Sequence, residues 1–338
     1  MSHEKNFELV YEGKKDKTAI IKEIKPVELK KDHFFKSNMN LLNLDSNNSF
    51  YFGDNLQILR TFLDNSSLKG KISLIYIDPP FGTKQLFKGG KERTSTISSS
   101  LEDDVAYDDT VIGSEYLEFL RKRLILLREL LSDDGSIYVH IDSKMGYQVK
   151  IILDEIFGEK HFINDITRIK CNPKNFARRA YGNYKDLILF YSKTDDYIWN
   201  ESLEEYSKND IERLFPKIDK NGRRYTTNPL HAPGETKNGE TGKPWKGMNP
   251  PKGRHWRYKT DILDELDKKG LIEWSSTGNP RKIIYADEHA KKKKKRQDIW
   301  EFKDPAYPQY PTEKNLDLLK TIISTSSDSG GIILGYLA

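Results

Sequence analysis

The chain has 338 residues, 36% hydrophobic and 32% charged, with 56 Lys and Arg against 51 Asp and Glu for a net charge of +5. That length holds one large α/β domain, or a core domain with an inserted module, and an aromatic content of 11% excludes a disordered chain. A single cysteine, Cys171, excludes an intrachain disulfide framework; with no membrane-length apolar run and a polar start from Met1 to Lys17, a cytoplasmic protein without membrane association is expected. The modest positive charge permits a polyanionic partner without requiring one.

Residues 1–45 are rich in Lys and Glu and read as an amino-terminal arm, with a strand around Ala19 to Ile24. Ser49 to Phe52 reads as a short strand entering Gly53-Asp54, and Asn55 as the cap of a helix whose Leu56, Leu59 and Leu63 fall at helical spacing. Ile72 to Ile77 is a short β-branched apolar run stopped by Pro79 and Pro80, which predicts a buried strand. Gly82 to Ser100 carries turn signals without periodicity and predicts a mobile loop of the kind that serves as a lid.

Glu115 to Leu131 places Tyr116, Phe119, Leu120, Leu124, Leu127, Leu130 and Leu131 on one stripe, the mark of an amphipathic helix. Asp133-Asp134-Gly135 stops it, Ser136 to Ile141 is the next strand, and Met145 to Phe157 is helical again. This alternation predicts a Rossmann-like, doubly wound, mostly parallel α/β sheet. From Asp165 to Pro305 the sequence is polar and turn-rich, with Trp199, Trp245, Trp256, Trp274 and Trp300 spread through it. Tyr184 to Tyr191 still reads as a core strand and Thr260 to Lys269 as a surface helix. Leu316, Leu318, Leu319, Ile322 and Ile323 build a last helix, Gly330-Gly331 ends it, and Ile332 to Leu334 begins a buried strand.

Asp78-Pro79-Pro80-Phe81 is the most informative segment. An acid at the carboxyl end of a strand lies where open α/β sheets bind ligands. The prolines fix carbonyls that have no following N–H, and Phe81 adds a flat apolar face. Acceptors beside an aromatic plate suit a planar base held by its exocyclic amine; the plainer alternative is a strand ended by a proline turn. Asp54 can accept from a second amine or simply cap a helix, and Pro311-Thr312-Glu313 is also ordinary helix-start chemistry. The run Lys291 to Arg296 is either a solvated segment or a phosphate contact. Around Trp245-Lys246 and Arg254-His255-Trp256-Arg257, aromatics interleave with cations, as for stacking and backbone contact or as a small aromatic core with basic ends. The histidines and the lone cysteine form no metal-ligand spacing, and there is no phosphate-cradling Gly-Lys-Ser/Thr loop.

Phe52-Gly53-Asp54-Asn55-Leu56, the Asp78-Pro79-Pro80-Phe81 strand end, Tyr107-Asp108-Asp109, Gly135 to Asp142 and Tyr310-Pro311-Thr312-Glu313-Lys314 form one ordered set. It resembles the modification subunit of type III restriction–modification systems, within the permuted β-order amino-methyltransferases of DNA. The resemblance implies a class I methyltransferase fold, S-adenosyl-L-methionine as cofactor, and transfer to adenine N6 in double-stranded DNA. It also implies a homodimer and a restriction subunit as partners. Asp78, Pro79, Pro80 and Phe81 would be catalytic, and Asp54, Asn55, Tyr310, Thr312 and Lys314 would hold the cofactor. Trp245, Lys246, Arg254, His255, Trp256, Arg257, Lys292 and Lys294 would contact nucleic acid. Cytosine-N4 members of this class usually begin the motif with Ser, so Asp78 argues for adenine.

The implied division is an arm at 1–45, a catalytic half at 46–165, a target-recognition module at 166–305, and the start of a cofactor-binding half at 306–338. The family continues beyond this last strand with an Asp-Pro-Phe-x-Gly-Ser-Gly turn, where this sequence reads Gly335-Tyr336-Leu337-Ala338. An incomplete sheet with an apolar edge at Ile332 to Leu334 is therefore expected, with weak or no cofactor binding by the chain alone. The alternatives to an impaired enzyme are a non-catalytic DNA-binding remnant and one half of a split methyltransferase.

Overall fold

A computed structural model describes residues 8–31, 48–80, 85–90, 93–96, 104–109, 113–173, 179–308 and 313–337. The chain divides into two units, Met1–Ser202 with Gln297–Ala338, and Leu203–Arg296. Residues 162–192 and 299–301 contribute strands to the first unit, so the second is shorter at both ends than the 166–305 module read from sequence.

In the first unit α1 (Lys17–Glu23) is a helix where a strand is expected, because Asp16 caps it by accepting from the Thr18 and Ala19 amides. Residues 48–52 form no strand. Asp54, not Asn55, is the N-cap of α2 (Asn55–Asp64), accepting from the Leu56 amide at 3.0 Å. β1 (Ile72–Asp78) follows. Within the segment read as a lid, β2 (Gln85–Gly90) and β3 (Arg93–Thr96) join β4 (Asp104–Asp109), which lies beyond it, in a separate antiparallel sheet of order β3-β2-β4. The remainder of that lid reading lies outside the described residues. α3 (Gly113–Leu130), β5 (Leu131–Ile141), α4 (Gly146–Phe157), β6 (Phe162–Ile169) and β7 (Lys185–Ser192) complete the run before the second unit.

The second unit contains β8 (Leu203–Glu204), α5 (Lys208–Leu214), β9 (Lys217–Ile218), β10 (Arg224–Pro229), β11 (His231–Pro233) and β12 (Arg254–Trp256). After them come α6 (Thr260–Lys268), β13 (Ile272–Trp274), β14 (Pro280–Tyr285), α7 (Ala286–His289) and β15 (Lys294–Lys295). Its largest sheet is antiparallel, in the order β13-β14-β10-β9. The chain then returns to the first unit with β16 (Ile299–Glu301), α8 (Leu316–Ser326) and β17 (Ile332–Leu337).

The central sheet runs β16-β6-β7-β5-β1-β17, and only β7 is antiparallel to its neighbours. This is the mixed α/β, mostly parallel architecture expected. Period-two alternation sorts its side chains between two cores. Ile75, Ile77, Ile137, Val139 and Ile141 face α2, α3 and α4, whereas Leu74, Tyr76, Tyr138, Ile188 and Phe190 face Leu318 and Ile322 of α8. Helices therefore cover both faces, and each fully buried Leu or Ile contributes roughly 1.5–3 kcal/mol. Tyr138 stacks on Phe190 with centroids 4.3 Å apart and bonds the Ser326 hydroxyl at 2.8 Å, which anchors α8. Gly135 lets β5 pass close to β1, since a Cβ there would lie 2.8 Å from the Ile72 carbonyl oxygen. β17 pairs with β1 at the end of the sheet, and Ile332 and Ile333 are exposed, as the expected apolar edge and not as a buried strand. No described helix is long and apolar enough to cross a membrane.

Candidate functional site

The alternation that fills the α8 face with apolar residues changes character at the carboxyl ends of the parallel strands. Two residues beyond Leu74 and Tyr76 comes Asp78; beyond Tyr138 comes His140; beyond Ile166 comes Arg168. On antiparallel β7, Asp186 precedes Ile188 and pairs directly with Arg168 in register. One face of the sheet thus ends in a polar cluster.

The Asp78 side chain is only 8% exposed, and its Oδ2 pairs with Lys314 Nζ at 2.8 Å. Its Oδ1 is buried and has no hydrogen-bond partner among the described residues. His140 Nδ1 lies 3.8 Å from that oxygen and 2.8 Å from the Tyr76 hydroxyl. On the other side of the ring, Nε2 is 3.2 Å from Asp186 Oδ2. Lys170 Nζ donates to Asp186 Oδ1 at 2.7 Å. Fully buried Arg168 donates from Nε to the Phe302 carbonyl at 2.8 Å and pairs through Nη2 with Asp304.

Burial alone would raise the Asp186 carboxyl, but the His140 hydrogen bond, the charge His140 carries once protonated in acid, and the Lys170 ammonium outweigh it and hold it at about 2. Burial pushes the Tyr76 phenol well up, and the Asp78 charge adds to this.

Pro79 is buried and Pro80 half-buried directly after Asp78. Phe81, Tyr310 and Thr312 lie outside the described residues. Of Tyr107-Asp108-Asp109 only the strand is described, with Asp108 opposite Leu86. Lys314, read as a cofactor contact, is paired with Asp78. Tyr76, Arg168, Lys170, Asp186 and Asp304 were not singled out by sequence reasoning. Counting back by two from Asp78 gives Tyr76; the others come from distant strands that a linear reading cannot register.

Asp54 and Asn55 sit together at the start of α2. Arg123 Nε donates to Asn55 Oδ1 at 2.7 Å, and its Nη2 is 3.5 Å from Asp54 Oδ1. Just before them Phe50 and Phe52 are 86% and 95% exposed. A cavity of about 410 Å³ lies between the amino-terminal segment, α2 and α3, lined in part by Leu56, Phe119 and Arg123.

In the second unit Trp245 and Trp256 fill a core with Leu230, Leu263 and Leu266, so their rings are not surface platforms. Their indole N–H groups donate to Asp264 Oδ1 at 2.8 Å and to the Lys243 carbonyl at 3.0 Å. The aromatic core with basic ends is the arrangement found. Lys246 pairs with Asp267, and His255 Nδ1 bonds the Gly234 carbonyl at 2.7 Å. Much of the Lys291 to Arg296 run is neutralised: Lys294 meets Glu204 at 3.1 Å and Asp210 at 2.7 Å, and Arg296 meets Glu204 at 2.8 Å. Lys292 is exposed.

A different group of cations hydrogen-bonds only to neutral atoms among the described residues. Arg254 meets His231 Nδ1 at 3.2 Å, Arg257 the Pro229 carbonyl at 3.0 Å, Arg281 the Thr227 hydroxyl at 2.8 Å, and Lys282 the Tyr258 hydroxyl at 3.3 Å. His231 is lowered by burial and then by the charges of Arg254, Arg257 and Arg281, which marks a local excess of positive potential. Arg257, Tyr258, Lys282 and Asn228 line a cavity of about 330 Å³.

Residues 72–335 match the N6/N4 DNA methylase family. The type II methyltransferase M.EcaI of Enterobacter cloacae is 40% identical over 334 residues, covering 96% of this chain and 69% of that protein. The Mod subunits of the type III restriction-modification enzymes StyLTI of Salmonella typhimurium and EcoP15I of Escherichia coli are 27% and 26% identical. Each alignment covers 88% of this chain, which spans 49% and 55% of those two proteins, about half their length. The solved M1.HpyAVI-SAM complex overlaps 84% of this chain and 80% of its own at 14% identity and a TM-score of 0.37, too loose an overlap to argue from.

Proposed function

This chain belongs to the N6/N4 DNA methylase family, and on that premise we propose that it methylates adenine N6 in double-stranded DNA as the modification enzyme of a restriction–modification system. The observation that carries the reading is Asp78, one oxygen clamped by Lys314 and the other buried without a donor at the carboxyl edge of the sheet. Buried polar atoms are normally satisfied. An orphan acceptor at a ligand-binding edge is a place for an incoming N–H.

The N6 lone pair of adenine is delocalised into the ring, so the amine is a weak nucleophile. Asp78 Oδ1 and the Pro79 carbonyl can accept from its two N–H bonds, favouring a pyramidal nitrogen and receiving the positive charge that develops on it. Phe81 is assigned stacking on the extruded base, worth roughly 1–3 kcal/mol. S-adenosyl-L-methionine, when bound, would supply the methyl group from a sulfonium sulfur and depart as the neutral thioether, and the surplus proton of the methylated amine passes by way of Asp78 to solvent. Asp54 and the exposed Phe52 ring fit the amine and face of its adenine, with Asn55 and Arg123 bracing that end of α2; Tyr310 and Thr312 belong to the same assignment. Lys314 is assigned to Asp78 instead.

The Leu203–Arg296 unit is read as the target-recognition module. Its phosphate-facing cations are Arg254 and Arg257, joined by Arg281 and Lys282, because these lack carboxylate partners among the described residues. Lys246, although paired with Asp267, and His255 are assigned to the same surface, and Lys292 adds an exposed charge; Lys294 is already neutralised. Substrate DNA sets the compartment as the cytoplasm. The more similar relative carries a type II name and the other two type III names; co-purification of a restriction subunit and of a second copy of the chain decides between the two organisations.

The test is methyl transfer from tritiated S-adenosyl-L-methionine into duplex DNA, followed by nucleoside analysis. N6-methyladenine is expected, and Asp78→Ala should lower the rate on the order of 10²–10³-fold. N4-methylcytosine as product would overturn the adenine assignment; a rate indifferent to Asp78→Ala would leave a DNA-binding protein without this chemistry.

A further inference from the structure

The structure assigns a positioning role to Tyr76, His140 and Asp186: they fix the protons around the His140 ring so that Asp78 Oδ1 receives none and stays open to the target amine. This rests on Asp78 being the amine acceptor. Counting donors and acceptors fixes the arrangement. Asp186 lies opposite two donors, Lys170 Nζ at 2.7 Å from Oδ1 and His140 Nε2 at 3.2 Å from Oδ2. A carboxylate can only accept, so Nε2 carries the hydrogen. Lys170 and the His140 contact keep Asp186 ionised, which locks that direction.

The Tyr76 hydroxyl is buried, keeps its proton, and lies 2.8 Å from Nδ1. In the proposed arrangement its O–H donates to Nδ1, which leaves the ring as the Nε2–H tautomer. With Nδ1 acting as an acceptor, His140 offers no N–H toward Asp78 Oδ1, although the two atoms are only 3.8 Å apart. The opposite tautomer would direct a donor at Oδ1 that a small ring rotation brings into bonding distance, and the acceptor needed by the substrate would be filled internally. Tyr76, His140 and Asp186 thus act by withholding a proton. Lys314 fixes one oxygen of Asp78, and the Tyr76–His140–Asp186 chain keeps the other bare.

Long-range 15N–1H NMR of the full chain labelled with 15N-histidine reads this directly, with the His140 signals identified by their loss in His140→Gln. The neutral Nε2–H pattern is expected in the wild type, and a shift toward Nδ1–H in Asp186→Asn. In the same variant kcat should fall about 10- to 100-fold, with the Kd for S-adenosyl-L-methionine unchanged. A wild-type ring protonated on Nδ1 overturns the assignment, even if the variants do not fold. Loss of transfer in Asp78→Ala together with an unaltered kcat in Asp186→Asn also overturns it, leaving the Asp78 reading intact. Unaltered transfer in Asp78→Ala itself would instead remove the underlying reading.

Discussion

In the sheet unit Arg168 is fully buried and Asp186 is 3% exposed, and each is held by several partners at the end of an otherwise apolar face. In the Leu203–Arg296 unit the ionic groups stand at the surface, as in Arg223 with Asp287 at 2.9 Å, while the interior is occupied by Trp245, Trp256 and three leucines. Desolvating charges costs several kcal/mol per ion, and a well-packed apolar replacement is often as stable. A buried ionic cluster is therefore poor value for stability and good at fixing geometry. Exposed pairs contribute roughly 0–1 kcal/mol each. The first unit uses charge to position a carboxylate; the second uses it to present a surface.

That contrast can be broken at three points. Trp256→Ala in one unit and Arg168→Ala in the other should each cost about 3–5 kcal/mol, the first by cavity creation and the second by emptying a fully buried site, unpairing the Phe302 carbonyl and taking a cation from beside buried Asp186. Urea unfolding followed by hydrogen exchange should show protection lost within 203–296 for Trp256→Ala and in β6 and β7 for Arg168→Ala. Loss spread equally over both units in either variant would end the distinction.

The next effect is in pH. Asp186 is held at about 2, below its ordinary carboxylate value, so its contribution to stability is fully present above about pH 4 and disappears as pH falls toward 2. The shift corresponds to about 2 kcal/mol. Asp186→Asn should flatten acid unfolding in that window, and a wild-type and variant with parallel stability profiles between pH 4 and 2 would contradict it.

Smaller again is the salt dependence of DNA binding. Arg257→Ala and Lys282→Ala should each reduce the slope of log affinity against log salt by about 0.9. Lys294→Ala, which removes a cation already paired with Glu204 and Asp210, should leave that slope nearly unchanged and shift stability by less than about 1 kcal/mol. The reverse order would place the DNA backbone on the Lys291 to Arg296 run.

Much of the first unit was legible because its signals are local. The Ile72 to Ile77 run, the Glu115 to Leu131 stripe and the Asp78 motif each carry their meaning within a few residues. Where local signals competed, the structure decided: Ile20 and Ile21 suggest a strand, yet the Asp16 cap makes α1 a helix. The segment from Gln85 to Thr96 has little apolar periodicity because its strands form a small separate sheet. In the second unit, burial of Trp245 and Trp256 is settled by contacts with Leu230, Leu263 and Leu266, which sequence spacing does not reveal. The chain Tyr76–His140–Asp186 joins three strands whose register appears only after folding. For the same reason the run of six cations does not reveal that Lys294 and Arg296 are paired with Glu204 and Asp210.

The central claim is a direct contact between the Asp78 carboxylate and the target amine. A double-mutant cycle measures it, pairing wild type and Asp78→Asn with the methylated duplex sequence carrying adenine or purine, which lacks the amine, at the target position. Binding measured at one salt concentration should give a coupling of about 1.5–3 kcal/mol, the range for a hydrogen bond to a charged group. Strict additivity of the two changes would contradict the account.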